Sequence, residues 1–96
     1  MTRLRLSPDA RLDLEDIFVR GALDFGLASA ERYVDGLRST LLLIGDRRQL
    51  GKDHAEVSPP VRLHRHKSHH ILYVVREDHV LILRVLHGSA NWIDHL

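Results

Sequence analysis

The segment that decides the fold reads VRLHRHKSHHILYVVR over residues 61–76, EDH over 77–79 and VLILRVLHG over 80–88. Residues 61–65 and 69–76 have the spacing and β-rich composition of strands, and 77–79 has the composition of a turn. Residues 80–87 form a third strand that is apolar on both faces. This pattern predicts that the last strand lies inside a sheet whose one face is covered by helices.

Two amphipathic helices precede these strands. Ser7 has the character of an N-cap and Pro8 suits the first helical turn, so the first helix begins there. Apolar residues recur at helical spacing in both segments, namely at Ala10, Leu14, Ile17, Phe18, Gly21 and Phe25, and then at Ala30, Tyr33, Val34, Leu37, Leu41 and Ile44. We expect the first helix to end at Gly26 and the second to run over 28–44 and end at Gly45. The short link predicts an antiparallel helical hairpin.

The remaining segments complete the order of elements. Residues 2–6 alternate apolar and polar side chains and predict a short edge strand. Residues 46–60 predict a long polar loop that is either functional or mobile, and the sequence does not fix the structure of the tail 88–96. Together, residues 1–96 predict a single α+β domain. An N-terminal strand and an antiparallel two-helix hairpin pack on an antiparallel sheet of three to four strands.

Composition excludes several classes of function. The chain has no cysteine, which excludes disulfides, thiolate zinc sites and cysteine nucleophiles. It has no apolar run long enough for a membrane and no apolar signal region, so we expect it in the cytoplasm. Net charge is +1, yet the cations Arg62, Arg65, Lys67 and Arg76 cluster among histidines. That cluster is either a solvated strand face or a surface for nucleic acid or an acidic protein.

The order and spacing of several motifs resemble the RelE/ParE superfamily of bacterial toxins, and more closely its ParE branch. The motifs are SPDAxxDLxxI over 7–17, Gly26, the helical Ala30, Tyr33 and Leu37, Val61 with Arg62, HHILY over 69–73 and VLH over 85–87. The resemblance implies a toxin of a type II toxin–antitoxin pair. It also implies a hetero-oligomer with a ParD-like antitoxin whose C-terminal segment wraps the toxin and whose N-terminal domain binds DNA.

Arginines that the ribonuclease branch carries distinguish the two possible activities, which are cleavage of RNA and inhibition of DNA gyrase. Those relatives resemble this chain but place arginines near His70 and Ser89 and often a tyrosine near His95. Losing one donor to a developing oxyanion costs about 10²–10³ in rate. This difference favours the ParE branch, whose members inhibit DNA gyrase, and we expect neither catalytic residues nor a cofactor.

Two alternatives stay open. In a ribosome-dependent mRNA endoribonuclease, the cations of strand 61–67 would hold phosphates and His70, His87 or His95 would move protons. An inactive antitoxin-binding module is the other alternative, because residues 87–92 lack the arginine that usually follows the last strand of ParE-like chains.

The predicted surfaces follow from charge and exposure. For target contact we expect Arg62, Arg65, Lys67 and Trp92, and capping of the core is the alternative role of Trp92. For the antitoxin we expect an apolar groove between sheet and hairpin that takes an amphipathic helix, and an edge strand over 3–6 that pairs with a partner strand.

The histidines carry further predictions. His64, His66 and His70 alternate well enough to share one strand face, which permits metal binding, but a solvated face is the preferred interpretation and no metal site is predicted. His87 ends an apolar strand, so we expect it to be partly buried and held by a backbone carbonyl.

Overall fold

The computed structural model describes residues 3–96. Its elements, in chain order, are β1 (Leu4–Leu6), α1 (Pro8–Phe25), α2 (Leu27–Asp46), β2 (Lys52–His54), β3 (Val61–His66), β4 (His69–Val75), β5 (Val80–His87) and a 3₁₀ turn (Trp92–His95). Thr2, which the sequence assigned to the first strand, lies outside the described residues.

The five strands form one sheet in the order β1-β5-β4-β3-β2. Strands β2 to β5 pair antiparallel, whereas β1 pairs parallel with the first three residues of β5. The α+β class and the helical hairpin on the sheet are therefore confirmed. The sheet is mixed and has five strands rather than three to four.

The start of α1 is capped as the sequence predicts. Ser7 Oγ accepts from the backbone N–H of Ala10 at 2.9 Å and donates to the carbonyl oxygen of Leu83 at 2.6 Å. The cap therefore ties the first helical turn to β5 as well as satisfying a free N–H group. Pro8 occupies the first turn, where its missing N–H has no helical partner.

The two helices are joined through Gly26 alone. Its φ of 92° and ψ of 158° lie in a region that is essentially restricted to glycine. The second helix is longer at both ends than the predicted 28–44. The prediction that Gly45 ends it is wrong, because Gly45 is buried inside the last turn.

The main core lies between the hairpin and one face of the sheet. It contains Ala10, Leu14, Leu37, Leu41, Ile44, Ile71, Tyr73, Val80, Ile82 and Val85. Phe25 was expected in this core but is 76% exposed. The physical reason is its position in the last residue of α1, at the tip of the hairpin.

A second, smaller apolar cluster covers the other face of the sheet. It is built from Val61, Leu72, Val74 and Leu86, with Val57, Ala90 and Trp92 packed against it. The indole of Trp92 lies 4.8 Å from the ring of His54, measured between centroids. The tail is therefore structured over this face, where the sequence assigned no structure, and Trp92 caps this cluster.

The predicted loop 46–60 contains β2, so the prediction of a loop over this whole stretch is wrong. The segment is fixed through Tyr73, which is fully buried. Its hydroxyl donates to the Arg48 carbonyl at 2.8 Å and accepts from the Gly51 N–H at 2.7 Å. Gly51 is required because a Cβ there would lie 2.8 Å from the Tyr73 ring.

Within the described part of the chain, neither helix combines the length and apolar character that a membrane span needs.

Candidate functional site

A groove of about 740 Å³ opens between β1, α1 and α2. Its apolar lining comes from all three elements and consists of Leu4, Leu6, Leu14, Phe18, Val34, Leu41 and Leu42. Leu42 remains 62% exposed, so apolar surface continues from the groove onto the outside of α2. A concave apolar surface of this kind on a small domain marks an interaction site.

Charged side chains surround the apolar lining. They are Arg11 and Glu15 on α1 and Glu31, Asp35 and Arg38 on α2, and all five are exposed. An apolar floor with a charged border resembles the anatomy of protein interfaces, in which a dry centre is enclosed by a polar rim.

Strand β1 borders this groove with a free backbone edge. Val80 donates to the Arg3 carbonyl and Ser7 donates to the Ile82 carbonyl, both at 2.9 Å. Because the direction of backbone polar groups alternates along a strand, those of Leu4 and Leu6 point away from β5. Among residues 3–96, no strand lies beyond β1 in the sheet order. This edge can therefore accept a strand from another chain.

The cations predicted to contact a target do not form one patch. Arg62 lies on the helix-covered face, where its guanidinium donates to the Gly51 carbonyl at 2.7 Å. Arg65 alternates to the other face, and its Nε donates to the Lys67 carbonyl at 2.8 Å. Lys67, in the turn after β3, places its ammonium 5.9 Å from the centre of the Tyr33 ring. Arg65 and Lys67 are exposed together at this end of the sheet.

The three histidines considered for proton transfer are not brought together. His70 lies on the sheet face away from the helices, and its buried Nδ1 has no hydrogen-bond partner within the described part of the chain. The ring of His87 packs instead on that of His69, 5.5 Å away between centroids. His95 lies in the C-terminal 3₁₀ turn, with its Nδ1 3.3 Å from the Arg84 guanidinium.

The expectation for His87 is wrong. Its side chain is exposed, and its Nδ1 accepts from the Ser89 N–H at 3.1 Å rather than contacting a backbone carbonyl. The physical reason is that His87 ends its strand just before the chain turns, so no element covers it.

A row of three histidines crosses the end of the sheet, and the sequence singled out His66 and His87 separately but neither His69 nor the row. His66 pairs in register with His69, which pairs with His87. The Tyr33 hydroxyl lies 2.7 Å from His69 Nδ1, and the Thr40 hydroxyl lies 2.8 Å from His66 Nδ1. These contacts attach α2 to the β3–β4 hairpin through neutral imidazoles.

Burial favours the neutral form of two members of this row, His66 and His69. Desolvation lowers the pKa of His66, and the nearby Lys67 and His64 lower it further. Desolvation is also the largest cause lowering the pKa of His69, followed by His87 and His66. The short turn between β3 and β4 sets the His66–His69 pair, so the sequence could have revealed it. The His69–His87 pair depends on the register shift between Leu72 and Tyr73, which no turn length reveals.

The predicted common face for His64, His66 and His70 is wrong. His70 pairs in register with Arg65, which lies between the two β3 histidines and therefore on the opposite face. Among residues 3–96, no group of three side chains with metal-ligand chemistry is placed to hold an ion.

A partly buried ion pair was also missed from the sequence. The guanidinium of Arg84 donates two hydrogen bonds of 2.8 Å to the Asp13 carboxylate. The same carboxylate accepts from the Val85 N–H at 2.9 Å. Because β1 covers only the first part of β5, Asp13 substitutes for a neighbouring strand further along. The available signal was a single charge, Arg84, inside an otherwise apolar strand.

Comparison with known proteins places these features in a family. Residues 4–92 match the family model described as the ParE toxin of the type II toxin–antitoxin system parDE. The chain is 32% identical over 96 residues to Toxin ParE1 of Caulobacter vibrioides, which covers all of this chain and 99% of that protein.

Solved structures share the fold at lower sequence identity. A structure of the chromosomal ParDE system from P. aeruginosa matches with a TM-score of 0.79 at 19% identity, covering 91% of this chain and 96% of that one. A copper-bound mutant toxin from Helicobacter pylori matches with a TM-score of 0.61 at 20% identity, covering 93% and 97%.

Proposed function

Since the chain belongs to the ParE toxin family of type II toxin–antitoxin systems, we propose that it inhibits DNA gyrase and that a ParD-like antitoxin neutralises it. The observation that carries this proposal is the family match over nearly the whole chain, together with full-length similarity to a protein named Toxin ParE1. The resemblance of the sequence motifs to the ParE branch supports the choice of gyrase.

The antitoxin is proposed to occupy the groove between β1, α1 and α2. Seven apolar side chains line this groove, so an amphipathic helix laid there would remove apolar surface from water on both molecules. An extended segment following that helix would reach the free edge of β1 and pair with Leu4 and Leu6. Both contacts support a hetero-oligomer in which the antitoxin wraps the hairpin.

The target is proposed to bind at the exposed end of the β3–β4 hairpin, away from this groove. Arg65 and Lys67 are exposed there and present two cations to an acidic protein surface. Arg62 and Trp92 support the site indirectly, because Arg62 holds the segment before β2 and Trp92 packs over the adjoining sheet face.

A supercoiling assay tests the gyrase proposal. Purified chain is titrated into gyrase acting on relaxed plasmid, beside the double variant Arg65→Gln/Lys67→Gln. A matched control, Arg20→Gln/Arg32→Gln, removes two exposed cations from the helices. We expect inhibition by the parent and the control and a loss of about tenfold or more in potency for the hairpin variant.

Two outcomes would contradict parts of this proposal. No effect on gyrase at concentrations that arrest growth would refute gyrase as the target, and the ribosome would be tested next with His70→Ala, His87→Ala and His95→Ala variants. Equal inhibition by the hairpin and control variants would refute only the assignment of Arg65 and Lys67.

A further inference from the structure

The charges around the groove are separated by sign along its length. The two helices approach each other closely at Gly21 and Ala30, because a Cβ on Gly21 would lie 3.3 Å from that of Ala30. We call this point along the helix axes the crossing level. With a rise of 1.5 Å per residue in antiparallel helices, Arg11 and Arg38 lie about 12–15 Å from this level.

The acidic residues lie nearer to the hairpin tip. On the same scale Glu31, Asp35 and Glu15 stand about 2, 8 and 9 Å from the crossing level. The groove therefore has a basic end beside the start of α1 and an acidic end beside the tip, with the apolar side chains between and below them.

None of these five residues is neutralised within the chain. Among residues 3–96, no ion pair and no side-chain hydrogen bond involves any of the five. Glu31 and Asp35 are one turn apart on the same helix, where like charges repel, whereas the pairs Arg11–Glu15 and Asp35–Arg38 have opposite charges at that spacing and attract. Binding a partner with opposite charges at each end relieves this repulsion, and binding in the reverse direction increases it.

We propose that the polarised rim admits the helix of its partner in one direction only and so selects among antitoxins. The inference rests on the proposed function, in which an antitoxin helix occupies the groove. The matching helix carries carboxylates over Arg11 and Arg38 and basic side chains over Glu31 and Asp35. The centres of the two charge pairs are roughly 9 Å apart, so the partner's charges lie about six residues apart along its apolar face.

Charge reversal at each end tests this inference. The probe is the antitoxin translated from the reading frame that adjoins the gene of this chain, titrated by calorimetry. The first variant is Arg11→Glu/Arg38→Glu and the second is Glu31→Arg/Asp35→Arg. We expect either reversal to raise the Kd about tenfold or more, because two attractive contacts become repulsive. This loss of affinity should be smaller at high salt, which screens the charges.

Two controls separate direction from general charge. Combining all four substitutions inverts the groove without changing net charge, and this variant is also expected to bind about tenfold or more weakly. The off-groove variant Arg32→Glu/Asp24→Arg reverses exposed charges on the same helices and is expected to change the Kd less than about threefold. If a reversal also lowers the Tm, Arg11→Gln/Arg38→Gln replaces it, with an expected loss of about threefold.

The outcomes distinguish this inference from the function on which it rests. If the parent chain binds the antitoxin and the reversals weaken binding no more than the off-groove control, the directional rim is refuted while antitoxin binding stands. If the inverted groove binds as tightly as the parent, the rim is likewise refuted. If the parent does not bind this antitoxin, the proposed neutralisation fails and the rim proposal fails with it.

Discussion

Replacing Tyr73 with phenylalanine removes one oxygen atom from the centre of the fold. That oxygen joins β4 to the segment before β2 by donating to the Arg48 carbonyl and accepting from the Gly51 N–H. Burial raises the pKa of the Tyr73 phenol, so it remains a neutral donor at physiological pH. The ring itself is fully buried and is retained in the variant.

The expected loss follows from these two contacts. Each hydrogen bond contributes about 1 kcal/mol, and a buried N–H group left without a partner adds its own desolvation penalty. We therefore expect Tyr73→Phe to lower the free energy of unfolding by about 2–3 kcal/mol. In a domain of this size each kcal/mol shifts the Tm by roughly 4–8 °C, so the Tm falls by about 10–20 °C.

Tyr33→Phe is the matched control for this measurement. It removes the same oxygen from a partly exposed site, where the hydroxyl contacts His69 Nδ1 and accepts from the Ser68 N–H at 3.3 Å. Water can replace those contacts, so we expect a loss of about 0.5–1 kcal/mol. Urea unfolding followed by circular dichroism measures both. A Tyr73→Phe loss no larger than that of Tyr33→Phe would refute the reasoning.

Three further predictions concern pH, the edge of β5 and the hairpin link. The pKa values of His66 and His69 are lowered in the folded chain. As the pH decreases, the unfolded chain therefore takes up protons at these histidines before the folded chain does. The urea midpoint is consequently highest above about pH 6.5 and falls as the pH decreases below that value. Asp13→Asn weakens the ion pair with Arg84, in which the side chain of Asp13 is 14% exposed and that of Arg84 is 23% exposed. We expect it to lower the free energy of unfolding, measured in urea, by about 1–2 kcal/mol. Gly26→Ala costs about 1–3 kcal/mol by the same assay, because its φ of 92° is strained for any L side chain although nothing obstructs a Cβ.

Each of these predictions has its own control. The urea midpoint should depend less on pH between 7.5 and 5.5 in His66→Asn, and an unchanged dependence contradicts the role of that imidazole. Asp16→Asn breaks an exposed pair with Arg20 and should change stability by less than about 0.5 kcal/mol. Gly36→Ala lies inside α2, where a Cβ meets His66 Nε2 at an ordinary 3.6 Å, and should be neutral or stabilising by up to about 1 kcal/mol.

Much of the fold was predictable because its determinants are local. The N-cap at Ser7, the period of the helical stripes and the apolar strand 80–87 each act within a few residues, so they identify α1, α2 and β5 directly. The failures occurred where distant residues decide the structure. Strand β2 is short and polar, and Gly51, the residue before it, is held by Tyr73 and Arg62, which lie elsewhere in the chain.

The site was predictable in kind rather than in detail. A groove between sheet and hairpin follows from the resemblance, but its lining depends on how far α1 and α2 overlap, which is set by the close contact of Gly21 with Ala30. In the sequence analysis, Arg62 and Arg65 were also grouped as one charged surface, although they lie on opposite faces of the sheet. Alternation places Arg62 and Arg65 on opposite faces, and clustering in sequence does not reveal this.

Pulse-labelling of DNA and protein synthesis, begun within minutes of inducing this chain without an antitoxin, distinguishes gyrase inhibition from the ribonuclease alternative. We expect incorporation of labelled thymidine to fall first, accompanied by a DNA-damage response, and co-expression of the adjoining antitoxin to abolish the effect. A fall in protein synthesis before DNA synthesis would contradict gyrase inhibition and support a ribosome-dependent ribonuclease. Normal synthesis of both, in cells that accumulate folded chain and contain gyrase, would contradict toxicity itself.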